Sequence, residues 1–282
     1  MKVFNNLPLK NFSRFRIGGP ARQIILAENR DELLSVVEPP DLVFGEGTNV
    51  LFPDEGLDKR VIFFRGGSFH LDGRWVVAEA GVNLQEVVEK SLDHGLAGLE
   101  NLAGIPGTLG GAIYGNAGAF GSQIGDLVRE VEVWKEGEIV RLKNPWFGYR
   151  DSVFKREGGV ILRAWLKLRK GTGREREVAR ERLKLREIKH PSPEVPCAGS
   201  FFKNILLPDG EKIPAGKLLE EVGAKGMKIG GAGVFPGHAN FIINLGNARA
   251  EDVLRLASIL KRRVRERFGI ELEEEVIIVR ST

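Results

Sequence analysis

A chain of 282 residues with 42% apolar and 28% charged side chains is long enough for two or three modest domains and too apolar to be disordered. It holds no apolar run near the ~20 residues of a membrane span, its opening MKVFNNLPLKNFSRFRIGG lacks the apolar stretch of a secretory signal, and its one cysteine, Cys197, excludes an internal disulfide and a cysteine-based zinc site. The formal net charge of +4 fits an anionic small-molecule substrate as well as a nucleic acid, and the excess lies in stretches that interleave Arg with Glu as solvated helices do.

In chain order, RQIILA (22–27) reads as a strand and NRDELLSVVE (29–38) as a short helix capped by Asn29. DLVFGEGTNVLF (41–52) follows as a strand running into a glycine loop, which completes a small β-α-β unit. From 60 to about 168 strands dominate: RVIFFRG, RWVVAEAG, VREVEVWKEGEIVRL with a hairpin turn at Glu136–Gly137, and VILRAWLKLR. NLQEVVEKSLDHG (83–95) and the glycine-rich stretch 104–121 interrupt them as helix-like pieces. A charged helix over 173–188 ends in KHPSPEVP, three prolines that mark a domain boundary. Beyond it come GSFFKNI, AGKLLEEVGAKG and HANFIINLG. A long helix follows, whose Val253, Leu256, Ala257, Leu260 and Val264 form one apolar stripe, with Gly269 as its C-cap. The chain closes on an apolar strand, EVIIVR (275–280). No internal repeat and no low-complexity tract is present.

Two glycine loops carry the chemical signal. In VFGEGTNVLF, Gly45 and Gly47 follow a strand, and successive backbone N–H groups there can form an anion nest, with Thr48 and Asn49 adding side-chain hydrogen bonds. A tight turn explains the same residues. The dinucleotide fingerprint is excluded because its sixth position is Val50, and no Gly-Lys-Ser/Thr run exists for a P-loop. GIPGTLGGAIYGNAGAFG, residues 104–121, has seven glycines in eighteen positions. Glycine costs conformational entropy, so either two backbones pack very closely here or a flat ligand lies on bare amides. Together the loops suit a dinucleotide, one for its pyrophosphate and one along its body.

GEGTNVLF, AGIPGTLGGAIYGNAGAFG, YRDSVFK, AGSFFKN, AGKLLEEVGAKGMKIGGA, HANFIIN and FGIELEEEV occur in this order over nearly the whole chain. Together they resemble the UDP-N-acetylenolpyruvoylglucosamine reductase family, flavoenzymes of peptidoglycan precursor synthesis, in its shorter class without a tyrosine-bearing loop. The resemblance implies an α+β protein with a two-lobed FAD-binding fold of the vanillyl-alcohol-oxidase type plus a third, α+β substrate-binding domain. The expected division is 1–60 for FAD lobe one, 61–190 for lobe two and 191–270 for the substrate domain, with 271–282 near the active site. It also implies bound FAD, NADPH as co-substrate, a UDP-sugar enolpyruvyl substrate, a cytoplasmic setting, and neither nucleic acid nor membrane as partner. A monomer is compatible with the sequence. Another flavin oxidoreductase or oxidase of this fold is the alternative.

By the same likeness FAD is held by Gly45, Glu46, Gly47, Thr48, Asn49 and Val50, and by Gly107, Thr108, Gly110, Gly111, Asn116, Ala117 and Gly118. Reducing an enolpyruvyl ether needs a hydride on one vinyl carbon, a proton on its neighbour and a cation at the carboxylate. The family likeness assigns the cation to Arg150, beside Tyr149 in the substrate site, and the proton to Ser200. Residue by residue, an ion pair for Arg150 and a turn for Ser200 are also open. LEEEV (272–276) is an exposed acid run by composition; in the family register Glu275 is catalytic and Glu274 takes a position usually held by proline. Asn204, Lys212 and Lys225 match the substrate-phosphate contacts, with Lys217 nearby, though surface lysines are commonly just solvated. His238 fits its motif, and the four histidines show no metal-ligand spacing.

Overall fold

A computed structural model describes residues 1–281, so Thr282, the last residue of the expected 271–282 segment, lies outside the described residues. The chain forms two compact units, each assembled from separated stretches. The first gathers Met1–Asn5, Gln23–Glu46 and Lys59–Arg186, and the second Asn6–Arg22, Gly47–Asp58 and Glu187 onward. The passage at Arg186 to Glu187 falls just before the proline-rich stretch 189–196.

The first unit holds most of one sheet and the whole of another. One has the order Lys2–Pro8, Pro20–Ala27, Leu57–Phe64, Leu42–Phe44, with the last two parallel. The opening strand was not among the expected elements, and Leu57–Phe64 inserts between the two strands of the expected β-α-β unit. Helix α1 (Arg30–Val36) starts as anticipated, the Asn29 side chain accepting from Glu32 N–H at 2.9 Å. The other sheet is antiparallel, in the order Glu138–Lys143, Val128–Lys135, Val160–Lys167, Trp75–Glu79, Phe69–Asp72. Its hairpin turns where the sequence places it: Glu136 and Gly137 have φ of +54° and +90°, the left-handed pair a two-residue hairpin requires. Helices α2 (Leu84–Asp93), α3 (Leu109–Tyr114), α4 (Val153–Glu157) and α5 (Glu175–Lys189) complete the unit. Ile62, Phe64, Val76, Leu84, Val87, Leu109, Val131 and Leu162 lie in one continuous core.

The second unit has a four-stranded antiparallel sheet, Cys197–Ser200, Phe241–Asn244, Ala232–Val234, Lys228–Ile229. Helices α6 (Ala215–Glu221) and α7 (Ala250–Phe268) accompany it. The expected stripe of α7 is buried throughout, and Gly269 closes the helix at φ +67° with its N–H on Arg265 O. That stripe packs into a core with Phe15, Ile17, Leu51, Phe201, Phe202 and Leu219. The expected closing strand 275–280 is shorter than anticipated: only Ile277–Ile278 pairs, parallel to Val50–Leu51. Among the described residues no helix is long and apolar enough to cross a membrane.

Candidate active site

In the first unit, the start of the first glycine loop meets the start of the second. Gly45 has no room for a side chain, since a Cβ would stand 2.2 Å from Thr108 Oγ1. Thr108 caps α3 by accepting Gly111 N–H at 3.2 Å, and Asn83 caps α2 by accepting Gln85 and Glu86 N–H. The two caps pair as an antiparallel bridge. Leu84 N–H donates to Gly107 O at 2.9 Å, and Leu109 N–H to Val82 O at 2.8 Å. Glu46 accepts the Asn83 amide at 2.8 Å, and Arg65 Nε donates to Gly45 O at 3.2 Å. Burial pulls the Arg65 guanidinium below its usual range against the opposing charge of Glu46.

Four glycines of 104–121 divide by purpose. Gly110 lies on Ala80, where an added Cβ would stand 2.7 Å from the Ala80 Cβ, and a Cβ added at Gly118 would lie 2.5 Å from Ser122 O across the hairpin Gly118–Ala119/Ser122–Gln123. Those two serve close backbone packing. Gly111 and Gly115 are different: an added Cβ would meet nothing nearer than 3.4 Å and 3.5 Å. Nothing in the protein itself requires glycine there, which leaves a bare backbone face on α3 suited to a flat ligand. Asn116 has left-handed backbone, φ +45°, and a side chain spent on the scaffold. Its Oδ1 accepts Gly125 N–H at 3.0 Å, while Nδ2 donates to Gln123 Oε1 at 3.0 Å and Gly148 O at 2.6 Å. Ala117 follows, its carbonyl accepting Ile124 N–H.

Arg150 sits at the turn between Phe147–Gly148 and Asp151–Ser152, at φ +53°. Its guanidinium reaches back to the glycine segment, donating to Gly118 O at 2.7 Å and Asn116 O at 3.5 Å, and lies 5.5 Å from the ring of Tyr149. Its own carbonyl accepts Lys155 Nζ at 2.9 Å. The Asp151 carboxylate turns to Arg156 at 2.8 Å. Burial works against ionisation of Asp151, but the bonds from Arg156 and from Ser152 N–H outweigh it and hold the carboxyl below its usual range.

In the second unit, Gly47 (φ +64°) admits no Cβ, which would approach Phe12 O to 2.7 Å, and its carbonyl accepts Arg14 N–H. Thr48 and Asn49 continue the loop into Val50–Leu51. Asn49 Nδ2 donates to Glu275 O at 3.1 Å, and Asn49 O accepts Ile277 N–H at 3.0 Å. Thus the first glycine loop is stitched to the C-terminal segment carrying the acid run. Glu275 N–H donates in turn to Phe201 O at 2.8 Å, Phe202 pairs with Glu274 in an isolated bridge, and Lys203 N–H donates to Glu273 O. Ser200 therefore lies on a backbone segment laced to that of Glu275. Gly199, at φ +80°, introduces the irregularity between Cys197 and Ser200 in their pairing with Phe241–Asn244. The neighbouring acids are engaged elsewhere: Glu274 pairs with Lys261 at 2.9 Å and Glu273 with Lys203 at 3.1 Å.

The expected phosphate contacts are dispersed over this unit. Asn204 Oδ1 accepts Ala215 N–H at the start of α6. Lys212 lies exposed on the strand pair Ile205–Leu206/Lys212–Ile213, and Lys225 pairs with Glu220 at 3.0 Å; Lys217 is exposed on α6. His238 Nδ1 accepts Asn240 N–H at 3.2 Å, and burial lowers its pKa. A cavity of about 380 Å³ in this unit is lined by Lys10, Asn11, Ser13, Arg16 and Asn244 and contains none of the expected residues. Among the described residues no cluster of three or more His, Cys, Asp or Glu could hold a metal ion.

Sequence reasoning missed Asn240 and Asn244. Asn240 is buried, brackets Phe202 with bonds of 3.0 Å and 2.8 Å, and accepts Phe201 N–H through its carbonyl, so it sets the backbone that follows Ser200. Asn244 holds Phe15 and Arg16 carbonyls. The signal was available: amides in the otherwise apolar run NFIIN have to be satisfied when buried.

Residues 21–143 match the FAD binding domain family, and residues 190–279 match the family UDP-N-acetylenolpyruvoylglucosamine reductase, C-terminal domain. The chain is 39% identical over 275 residues to UDP-N-acetylenolpyruvoylglucosamine reductase of Pseudothermotoga lettingae, covering 96% of this chain and 95% of that protein. It is 40% identical over 288 residues to the Caldanaerobacter subterraneus protein of the same name, at 99% and 94% coverage. It also superposes on the crystal structure of the Thermus caldophilus UDP-N-acetylenolpyruvylglucosamine reductase with a TM-score of 0.82 and 36% identity, covering 99% of this chain and all of that one. The fold is α+β, an FAD-binding part joined to the C-terminal domain of these reductases, and the protein is an FAD-dependent oxidoreductase. The chain belongs to the UDP-N-acetylenolpyruvoylglucosamine reductase family.

Proposed function

We propose that the protein reduces UDP-N-acetylglucosamine enolpyruvate to UDP-N-acetylmuramate with NADPH, a cytoplasmic step of cell-wall precursor synthesis. On this reading FAD lies along the loops Gly45–Val50 and Gly107–Gly118, within lobes spanning 1–60 and 61–190. The substrate is held by 191–270, and the segment from 271 borders the reaction. The bare α3 backbone at Gly111 and Gly115 fits a flat ring system, while Gly45 and Gly110 serve the packing that holds that backbone in place. FAD held by these loops would supply the hydride chemistry that links NADPH to the vinyl CH₂ carbon of the substrate.

The residues of the chain do the rest. Arg150 binds the substrate carboxylate with its planar fork and stabilises the negative charge that builds there as the double bond is reduced. Ser200 gives its hydroxyl proton to the carbon beside the carboxylate, so that one hydride and one proton saturate the double bond. Glu275 hydrogen-bonds the carboxyl end of the intermediate. Tyr149 contacts the substrate beside Arg150, and Asn204, Lys212 and Lys225 hold the UDP phosphates. The observation that most directly supports this assignment is the bond from Glu275 N–H to Phe201 O, which holds the Ser200 and Glu275 segments side by side.

An anaerobic visible spectrum of the purified protein tests it. A yellow protein that bleaches with NADPH and regains colour with the enolpyruvyl substrate is expected. Bleaching without recovery would discard the substrate, and failure to take up FAD would discard the reading of both loops. In the Ser200→Ala protein, reduction by NADPH should persist while reoxidation by substrate falls by roughly a hundredfold or more; normal reoxidation would remove Ser200 from its role.

A further inference from the structure

The assigned roles leave unexplained why α5 turns two arginines onto the glycine-rich segment. Arg182 Nε donates to Asn101 Oδ1 at 2.9 Å, and Asn101 Nδ2 donates to Ser122 Oγ at 2.9 Å. The Arg182 guanidinium also lies 4.3 Å from the ring centroid of Phe120. About one turn further along, Arg186 Nε donates to Ala103 O at 3.0 Å, with its guanidinium 6.0 Å from the same ring. Leu183 and the Arg186 stem close over Gly104, where a Cβ would lie 2.9 Å from each.

Phe120 makes these contacts meaningful. It stands at the tip of the hairpin Gly118–Ala119/Ser122–Gln123, 47% exposed and at φ +51°, a conformation a bulky side chain rarely adopts. A ring so placed gains little from burial; it offers a π-face to two cations. The same hairpin carries Gly118, whose carbonyl accepts Arg150 Nη2 at 2.7 Å. A continuous path thus runs from α5 through the hairpin to the Arg150 guanidinium.

We propose that Arg182 and Arg186 are positioning residues that clamp the hairpin 118–123 and thereby fix the orientation of Arg150, without touching the reacting atoms. The proposal rests on the reading of Arg150 as the carboxylate-binding cation. Burial lowers the pKa of Arg186, and the charge of Arg150 lowers it further.

Arg182→Gln, Arg186→Met, Arg186→Lys and Phe120→Ala would be compared with Arg180→Gln, an exposed control on the same helix. Hydrogen–deuterium exchange over 117–124 in the FAD-loaded protein should accelerate roughly tenfold in the first four and not in the control. Their kcat should fall roughly tenfold while KM for NADPH and the melting temperature stay near wild type. Arg186→Lys keeps the charge but not the planar fork, so it should remain impaired. Wild-type exchange, or faster exchange with unchanged kcat, would overturn the clamp. Full turnover by Arg150→Met would overturn the reading of Arg150 instead, and the exchange data would still decide whether α5 holds the hairpin.

Discussion

Gly111 is the residue at which the two explanations for a glycine-rich segment can be separated. Gly45 and Gly110 are pinned by Thr108 and Ala80, so alanine there would damage the fold before any ligand is considered. Gly111 lies inside α3, and a Cβ added there would meet only Thr108 Oγ1 at 3.4 Å. Gly111→Ala should therefore leave the flavin-free protein as stable as before or up to ~1 kcal/mol more so, through helix propensity. FAD affinity should nevertheless drop, as a methyl enters the bare face. Thermal melts of the apoprotein and fluorescence titration with FAD measure the two effects, and unchanged affinity would place the ligand elsewhere. His238 gives a second prediction at this scale. Burial lowers its folded pKa, so the unfolded chain binds the extra proton more readily and stability is lost as pH falls below the unfolded value of about 6.5. Denaturation midpoints between pH ~8 and ~5 should fall less steeply for His238→Gln than for wild type; parallel curves would show that its neutrality adds nothing.

Among the elements, α7 shows how far local sequence reaches. Its apolar stripe and Gly269 stop are written in spacing alone, and both are found as read. What holds its N-terminus is not local: Asp54, about two hundred residues earlier, accepts Ala250 N–H at 2.8 Å and Glu251 N–H at 3.1 Å. Asp252 adds bonds from Arg249 and Gly231 N–H, which pull its carboxyl below the usual range. Asp54→Ala should cost ~1–2 kcal/mol by leaving two helix N–H groups to solvent, read as a lowered midpoint in denaturant; an unchanged midpoint would show that water or Asp252 takes over. The same contrast runs through the chain. The hairpin at Glu136–Gly137 and the Asn29 cap were legible because the responsible residues adjoin the element. The two-residue pairing of Val50–Leu51 with Ile277–Ile278 was not, because short strands carry no periodicity and their partners are chosen by tertiary packing.

The whole molecule repeats this lesson at larger scale. The proline-rich stretch 189–196 looks like a domain boundary, and the chain does change units beside it, yet the residues after it do not make a complete core by themselves. The stretch from Glu187 onward takes Phe15, Ile17 and Leu51 into its core, Val50–Leu51 to pair with Ile277–Ile278, Asp54 to cap α7, and the Phe15 and Arg16 carbonyls to satisfy the buried Asn244 amide. Phe15 and Leu51 are at most 1% exposed, so deleting them removes well-packed apolar volume at ~2–5 kcal/mol apiece. A domain of this size commonly has only ~5–15 kcal/mol of net stability. A fragment of residues 187–282 should therefore fail to fold cooperatively: it should show weak, broad thermal melting by circular dichroism and poorly dispersed amide resonances. Joining residues 6–58 to it through a flexible linker should restore a sharp transition, since this returns the missing strand, cap and core side chains together. If 187–282 alone melts cooperatively with dispersed resonances, the contribution of the N-terminal stretches to this core is smaller than their burial implies.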